Sequence, residues 1–144
     1  MKKGIFIAAA GSLGSVAAKF LGGWDIPIQT LIIFMAVDYL TGITVAGVFH
    51  KSGKSKDGTL ESRVGFKGLF RKGVILCMVL MANRLDIAFG TEIIRNTVIM
   101  GYTCNEALSI VENAGLMGVP IPQVILNSIE VLKNNGENNK NVFR

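Results

Sequence analysis

Charge is scarce in this chain. Only 17% of its 144 residues are Asp, Glu, Lys or Arg, whereas soluble domains are nearer a quarter charged. Cysteine is scarcer still. Cys77 and Cys104 cannot staple a chain of this length, so a disulfide scaffold is excluded. Both lie in apolar surroundings and read as small buried residues. With a single histidine, His50, the chain also lacks a zinc-ligand set, and no cofactor is expected. Catalytic constellations are missing too. No Ser or Cys stands beside a recognisable base, and Gly65-Phe66-Lys67-Gly68 is half a phosphate loop with no strand before it. An enzyme is not expected.

What the chain has is apolar length. Half of its residues are hydrophobic and mean hydropathy is +0.47. That excludes disorder and points to lipid as the solvent. Four apolar segments follow one another, at 4–22, 26–49, 73–90 and 93–117. The second is the clearest, with Asp38 its only charge. At 1.5 Å per residue it makes about 36 Å of helix, enough to cross a hydrocarbon core of about 30 Å with some tilt. Gly22, Gly23 and Pro27 punctuate the junction before it. Pro120 and Pro122 break the chain after the fourth. Residues 118–144 then read as a short amphipathic helix at 123–133 and an Asn-rich tail. The expectation is one all-α integral membrane domain with about four hydrophobic helices. In a three-span alternative, the first or fourth segment lies in the interface or outside the bilayer. Residues 1–22 share features of a cleaved signal peptide, including Val16-Ala17-Ala18, but Lys19 and the spanning segment directly after it favour an anchor.

The net charge of +5 is concentrated in one place. Residues 50–72 hold Lys51, Lys54, Lys56, Arg63, Lys67, Arg71 and Lys72 against Asp57 and Glu61, which accounts for the whole excess. A basic loop between apolar segments belongs in the cytoplasm. With four spans, both termini share that side, in a multi-pass protein of the cytoplasmic membrane. The loop would fix orientation and bind anionic lipid, at about 1 kcal/mol per basic residue near the surface. Its end, Ser62 to Lys72, reads as an amphipathic helix on the membrane surface. Nucleic acid is not the expected partner, because only Phe66 and Phe70 are available for stacking.

Two features concern polarity inside the apolar segments. On a helical wheel of the fourth segment, Arg95, Tyr102, Asn105, Glu106, Ser109, Glu112 and Asn113 fall within an arc of about 120°. Such a stripe faces protein or water, not lipid. A soluble helical bundle would show the same stripe; the spanning-length segment before it favours the membrane. Asp38 sits mid-segment, where an unpaired charge costs at least about 2.5 kcal/mol. Arg84, with Asp86 close by, is the nearest cation in the third segment and the candidate partner; a neutral Asp38, or one that caps a turn inside the bundle, is the alternative. Gly11 and Ser15 in the first segment and Gly42 and Ala46 in the second have the spacing that lets helices approach closely.

Four stretches, in order, carry a resemblance over about residues 24–132. They are Asp38-Tyr39-Leu40-Thr41-Gly42, the run from Glu61 to Lys72, the run from Asn105 to Asn113, and Gly118-Val119-Pro120-Ile121-Pro122. In these the sequence resembles the small phage holins of the toxin-secretion/phage-lysis type, found in Gram-positive phages and clostridial toxin loci. The Asn-rich tail departs from the densely charged tails common in that group. The resemblance implies self-association in the cytoplasmic membrane, then lesions that release an endolysin, or a toxin, without necessary direct contact. The alternatives are a small ion channel or transporter subunit, and an antiholin or membrane scaffold that never opens.

Overall fold

Three long helices carry the architecture of the computed structural model, which describes residues 11–12, 14–53 and 62–128. A helical stretch at 14–20 (α1) leads into α2 (Ile26–Gly47), α3 (Ser62–Phe89) and α4 (Ile93–Leu116), and a short helix at 123–128 (α5) follows. No strand occurs among the described residues. Lys54, Lys56 and residues 129–144, with the expected tail, lie outside them.

Local chemistry explains the boundaries. Asp25, in extended conformation, accepts a hydrogen bond from the Ile28 amide at 3.2 Å and so caps α2, with Pro27 in the first turn where its missing N–H costs nothing. α1, α3 and α4 each end on a left-handed glycine: Gly22, Gly90 and Gly118, at φ of +89°, +68° and +82°. Beyond each, an amide reaches back to the last turn: Gly23 to the Ala18 carbonyl, Thr91 to Asp86 and Val119 to Ala114, at 2.9, 2.9 and 3.0 Å. These bonds satisfy carbonyls the helix leaves unpaired.

α3 departs from expectation. It begins at Ser62 instead of 73 and runs 28 residues without a break. The run from Ser62 to Lys72 is therefore its first part, not a separate surface helix, and the basic loop is correspondingly shorter.

α2 and α4 run parallel and α3 runs antiparallel to both. Asp25 at the start of α2 meets Arg95 at the start of α4, while Asp86 at the end of α3 meets the same turn of α4. α4 lies between the other two, which touch each other little. Ile28, Leu31 and Met35 of α2, Ile75 and Val79 of α3 and Ile99 of α4 form the buried apolar core. Tyr102, expected on the polar stripe, packs partly buried against it.

One helix among the described residues, α2, is long and apolar enough to cross a membrane by length and composition. Gly11 and, in α1, Ser15 are exposed, and no other side chain approaches Gly11. These small residues do not pack inside the described chain. Gly42 does bring helices together: a Cβ there would lie 3.8 Å from the Asn113 amide of α4, and Ala46 is buried nearby.

Gly22 is the tightest glycine. A Cβ there would fall 2.5 Å from Asn83 Oδ1 and 2.6 Å from Arg95 Nε, on a backbone that already disfavours side chains. Gly22→Ala is expected to destabilise the protein by about 1–3 kcal/mol. Gly101→Ala, in α4 with nothing within 4 Å, should be neutral or stabilising by up to about 1 kcal/mol. Thermal unfolding of the two variants in the same detergent checks the contrast.

Candidate functional site

Polar side chains at the middle of α2, α3 and α4 meet in one cluster. Lys72 Nζ donates to Asp38 Oδ2 at 2.7 Å and to Glu106 Oε2 at 2.5 Å. Asn113 Nδ2 donates to Thr41 Oγ1 at 3.0 Å and Asp38 Oδ1 at 3.3 Å. The three charged side chains are 11%, 12% and 5% exposed for Lys72, Asp38 and Glu106. One ammonium thus ties two carboxylates from two other helices in a largely water-free setting, where charge pairs interact strongly.

This arrangement corrects the expected partner of Asp38. Arg84 is exposed, and the cation at Asp38 is Lys72. Lys72, which the charge pattern assigns to the lipid-contacting basic loop, is 8% exposed and belongs to the interior. Its basic neighbours Lys51, Arg63, Lys67 and Arg71 are exposed. The signal for Lys72 was its place on the helix. Ile75 and Val79 lie three and seven residues on and are buried, so all three share one face.

A second cluster lies at the other end of the apolar core. Thirteen residues separate Asp25 from Asp38 on α2, a rise of about 20 Å. Arg95 engages Asp25 with both guanidinium nitrogens, at 2.7 and 3.0 Å, and its Nε donates to the Leu21 carbonyl. Asp86, instead of standing as an isolated intramembrane charge, accepts from the amides of Ile94 and Arg95 at 3.1 and 2.7 Å and from the Thr91 hydroxyl. It caps α4 from α3, a task that Glu92 at the helix's own N-cap does not perform. Asn83 donates to the Phe20 carbonyl at 3.0 Å and ties in the end of α1.

The expected stripe on α4 is divided by these contacts. Arg95, Glu106 and Asn113 are buried in the two clusters, Ser109 is half-buried, and Asn105 and Glu112 are exposed. Sequence reading missed Asp25, Thr41, Asn83 and Thr91. Of these, only Asp25 had a local signal, as an Asp directly before an apolar helix with Pro in its first turn.

Outside these clusters polarity is inverted relative to a water-soluble bundle. Phe66 and Phe70 on α3 are 69% and 68% exposed, Ile87 and Phe89 61% and 69%, and Ile93 and Met100 on α4 73% and 68%. Lys72, Asp86, Arg95 and Glu106 lie inside, and these large apolar side chains lie outside.

Residues 15–134 match the family model described as the bacteriophage holin family. The chain belongs to that family. Similar proteins include an uncharacterised 14.9 kDa protein of the nagH 3′ region in Clostridium perfringens, 39% identical over 125 residues, covering 85% of this chain and 89% of its own. An uncharacterised Listeria monocytogenes protein is 34% identical over 117 residues, 81% of this chain and 78% of its own. YtkC of Bacillus subtilis, also uncharacterised, is 30% identical over 132 residues, 91% and 92% of the two chains. No solved structure matches.

In this holin-family chain, removing one partner of the central cluster strands the others. Lys72→Met is expected to cost about 3–5 kcal/mol, whereas replacing Asp38, Lys72 and Glu106 together by apolar residues of similar volume should restore most of it. Chemical denaturation in a fixed detergent compares the two. The outer cluster gives a pH expectation. The hydrogen bond from Arg95 holds the Asp25 carboxyl below its ordinary value of 3.8, against a smaller opposing effect of burial. A lowered carboxyl pKa stabilises the fold above 3.8, and that contribution is lost as pH falls through the folded-state value. The stability gap between wild type and Asp25→Asn should therefore be full at neutral pH and close only in strong acid, as melting curves across that range would record.

Proposed function

We propose that the chain is a holin in action as well as in family. It accumulates and self-associates in the cytoplasmic membrane of a bacterial host, then opens lesions large enough for an endolysin, or a toxin, to leave. The inverted polarity carries this reading. A bundle with Lys72, Glu106 and Arg95 inside and Phe66, Phe70, Ile87 and Ile93 outside is stable where the outside is lipid. It also explains why α3 and α4 are less apolar than α2. Lys72 and Asp86 of α3 and Arg95 and Glu106 of α4 are spent on interior partners, so both helices fit a bilayer together better than either does taken singly.

In the proposed topology α2, α3 and α4 span, and residues before α2 add a fourth span or lie along the interface. The exposed Lys51, Arg63, Lys67 and Arg71 keep the α2–α3 connection and the C-terminus in the cytoplasm and contact anionic lipid, and a fourth span before α2 brings the N-terminus to the same side. α4 is the switchable element. Closed, it buries Glu106 and Asn113 against Asp38 and Lys72. Turned outward among several copies, the same face, with Asn105, Ser109 and Glu112, would line water.

A small channel or transporter subunit is the second reading. A cavity between the same three helices ends at the central charges and favours it. Pore size separates the two.

Inducible expression in a bacterial host, following membrane potential and release of a cytosolic enzyme together, tests the proposal. A long silent interval followed by abrupt depolarisation with enzyme release is expected. Gradual depolarisation with the enzyme retained would replace lysis by the channel. Glu106→Leu combined with Glu112→Leu should still reach the membrane but shift the onset of release. Unchanged timing would make the polar face of α4 merely structural.

A further inference from the structure

A helix leaves its last four carbonyls without partners of its own. For α1 these belong to Ala18, Lys19, Phe20 and Leu21. The first two are met within the turn, by the amides of Gly23 and Gly22 at 2.9 and 3.2 Å. The other two are met from outside. Asn83 of α3 donates to the Phe20 carbonyl at 3.0 Å, and Arg95 of α4 donates through Nε to that of Leu21. Two other helices thus complete the end of α1.

The junction with α2 has the make-up of a hinge. Gly22 and Gly23 both have positive φ, +89° and +110°. Gly22 lies against Asn83 and Arg95, whereas a Cβ on Gly23 would meet nothing within 4 Å. Paired glycines absorb changes of direction that other residues resist. Little of α1 is packed along its length. Residues 14–17, 19 and 20 are exposed, and Leu21 just beyond them rests on the apolar core. From 14 to 20, then, α1 is fastened at its end. Arg95 links that fastening to α4, because the guanidinium that holds Leu21 also grips both oxygens of Asp25, the N-cap of α2. The first turn of α4 cannot move without giving up the Leu21 carbonyl and Asp25 together. In lipid a stranded carbonyl is costly.

We propose that α1 is a hinged brake on α4. Docked at Asn83 and Arg95, it holds α4 in the closed arrangement; undocked about Gly22 and Gly23, it leaves α4 free to turn. Such coupling is reciprocal, so turning α4 also loosens α1. The brake presupposes that α4 is the switchable element assigned above.

Pairs of spin labels read both movements in the full chain in phosphatidylglycerol nanodiscs, with Cys77 and Cys104 replaced by Ser. Ser15→Cys with Met81→Cys reports the distance from α1 to α3. Ile33→Cys with Met100→Cys reports that from α2 to α4. All four sites are exposed. Two variants undock α1 by different means. Asn83→Leu removes one donor, and Gly22→Ala wedges a Cβ against Asn83 and Arg95. In each, the undocked fraction should rise about tenfold, and a second α2–α4 distance should appear in step with it. Asn83→Leu carries the test if Gly22→Ala does not fold. Asn96→Ala, which removes a contact of the Arg95 guanidinium that does not involve α1, should leave both distances as in the wild type. An α1–α3 distance that stays unchanged in Asn83→Leu and Gly22→Ala overturns the docking. Undocked α1 with an unchanged α2–α4 distance overturns the brake. The onset of depolarisation in an expressing host is read separately and should come earlier in both variants. Shifted distances without a change in that onset would remove α4 as the lysis switch and leave the brake standing.

Discussion

A charge that cannot reach water must find its partner inside the protein, and Lys72 is where this chain meets that constraint. Its ammonium joins Asp38 of α2 and Glu106 of α4. No two of the three helices can separate at that level without exposing a charge to a medium that cannot solvate it. Apolar contacts between helices discriminate weakly when the surroundings are apolar as well. The triad instead sets which faces meet and in what register. The parallel pairing of α2 with α4 follows from the same geometry, because Asn113 adds its amide to Asp38 and Thr41 one turn further along.

The apolar core lies between two polar clusters, and α4 takes part in both. At one end Arg95 and the amides of its first turn are held by Asp25 and Asp86. Mid-helix, Glu106 and Asn113 are held by Lys72 and Asp38. Packed cores and paired networks tend to have discrete arrangements rather than a continuum. An element pinned at two points therefore moves in a step, which suits a protein proposed to stay closed and then open abruptly. Because the mid-helix partners of α4, Asp38 and Lys72, are intramembrane polar groups in that reading, an oligomer that offered equivalent partners from neighbouring copies would lower the cost of the step.

The polar clusters also account for how the chain looks to a hydropathy test. α2 brings one charge to the interior and passes as a span, whereas α3 and α4 bring several and do not. Such a test scores each side chain as if it faced lipid. Here Lys72, Asp86, Arg95 and Glu106 are all less than a tenth exposed, and large Phe, Ile, Met and Leu side chains lie outside.

Much of the fold was legible because it is written in local chemistry. α2 and α4 could be placed to within two residues from their apolar length, from Gly22, Gly23 and Pro27 at the start of α2, and from Pro120 and Pro122 after α4. The 3.6-residue period put Arg95, Glu106 and Asn113 on one face of α4, and they are its buried polar residues. The start of α3 was not legible, since its basic first turns look like a loop when only hydropathy is read. Neither were the pairs. Lys72 lies 34 residues from both Asp38 and Glu106, and Arg95 lies 70 from Asp25. The helical spacing of Lys72 with Ile75 and Val79 counts as a signal only once α3 is known to start at Ser62, and nothing in a linear pattern makes Arg84 the wrong partner for Asp38. The sequence by itself determined α2, α4 and the polar face of α4, because those depend on composition and period. Only the tertiary structure decided which charges meet, because that depends on helix direction and register, which bring distant residues to one depth in the bundle.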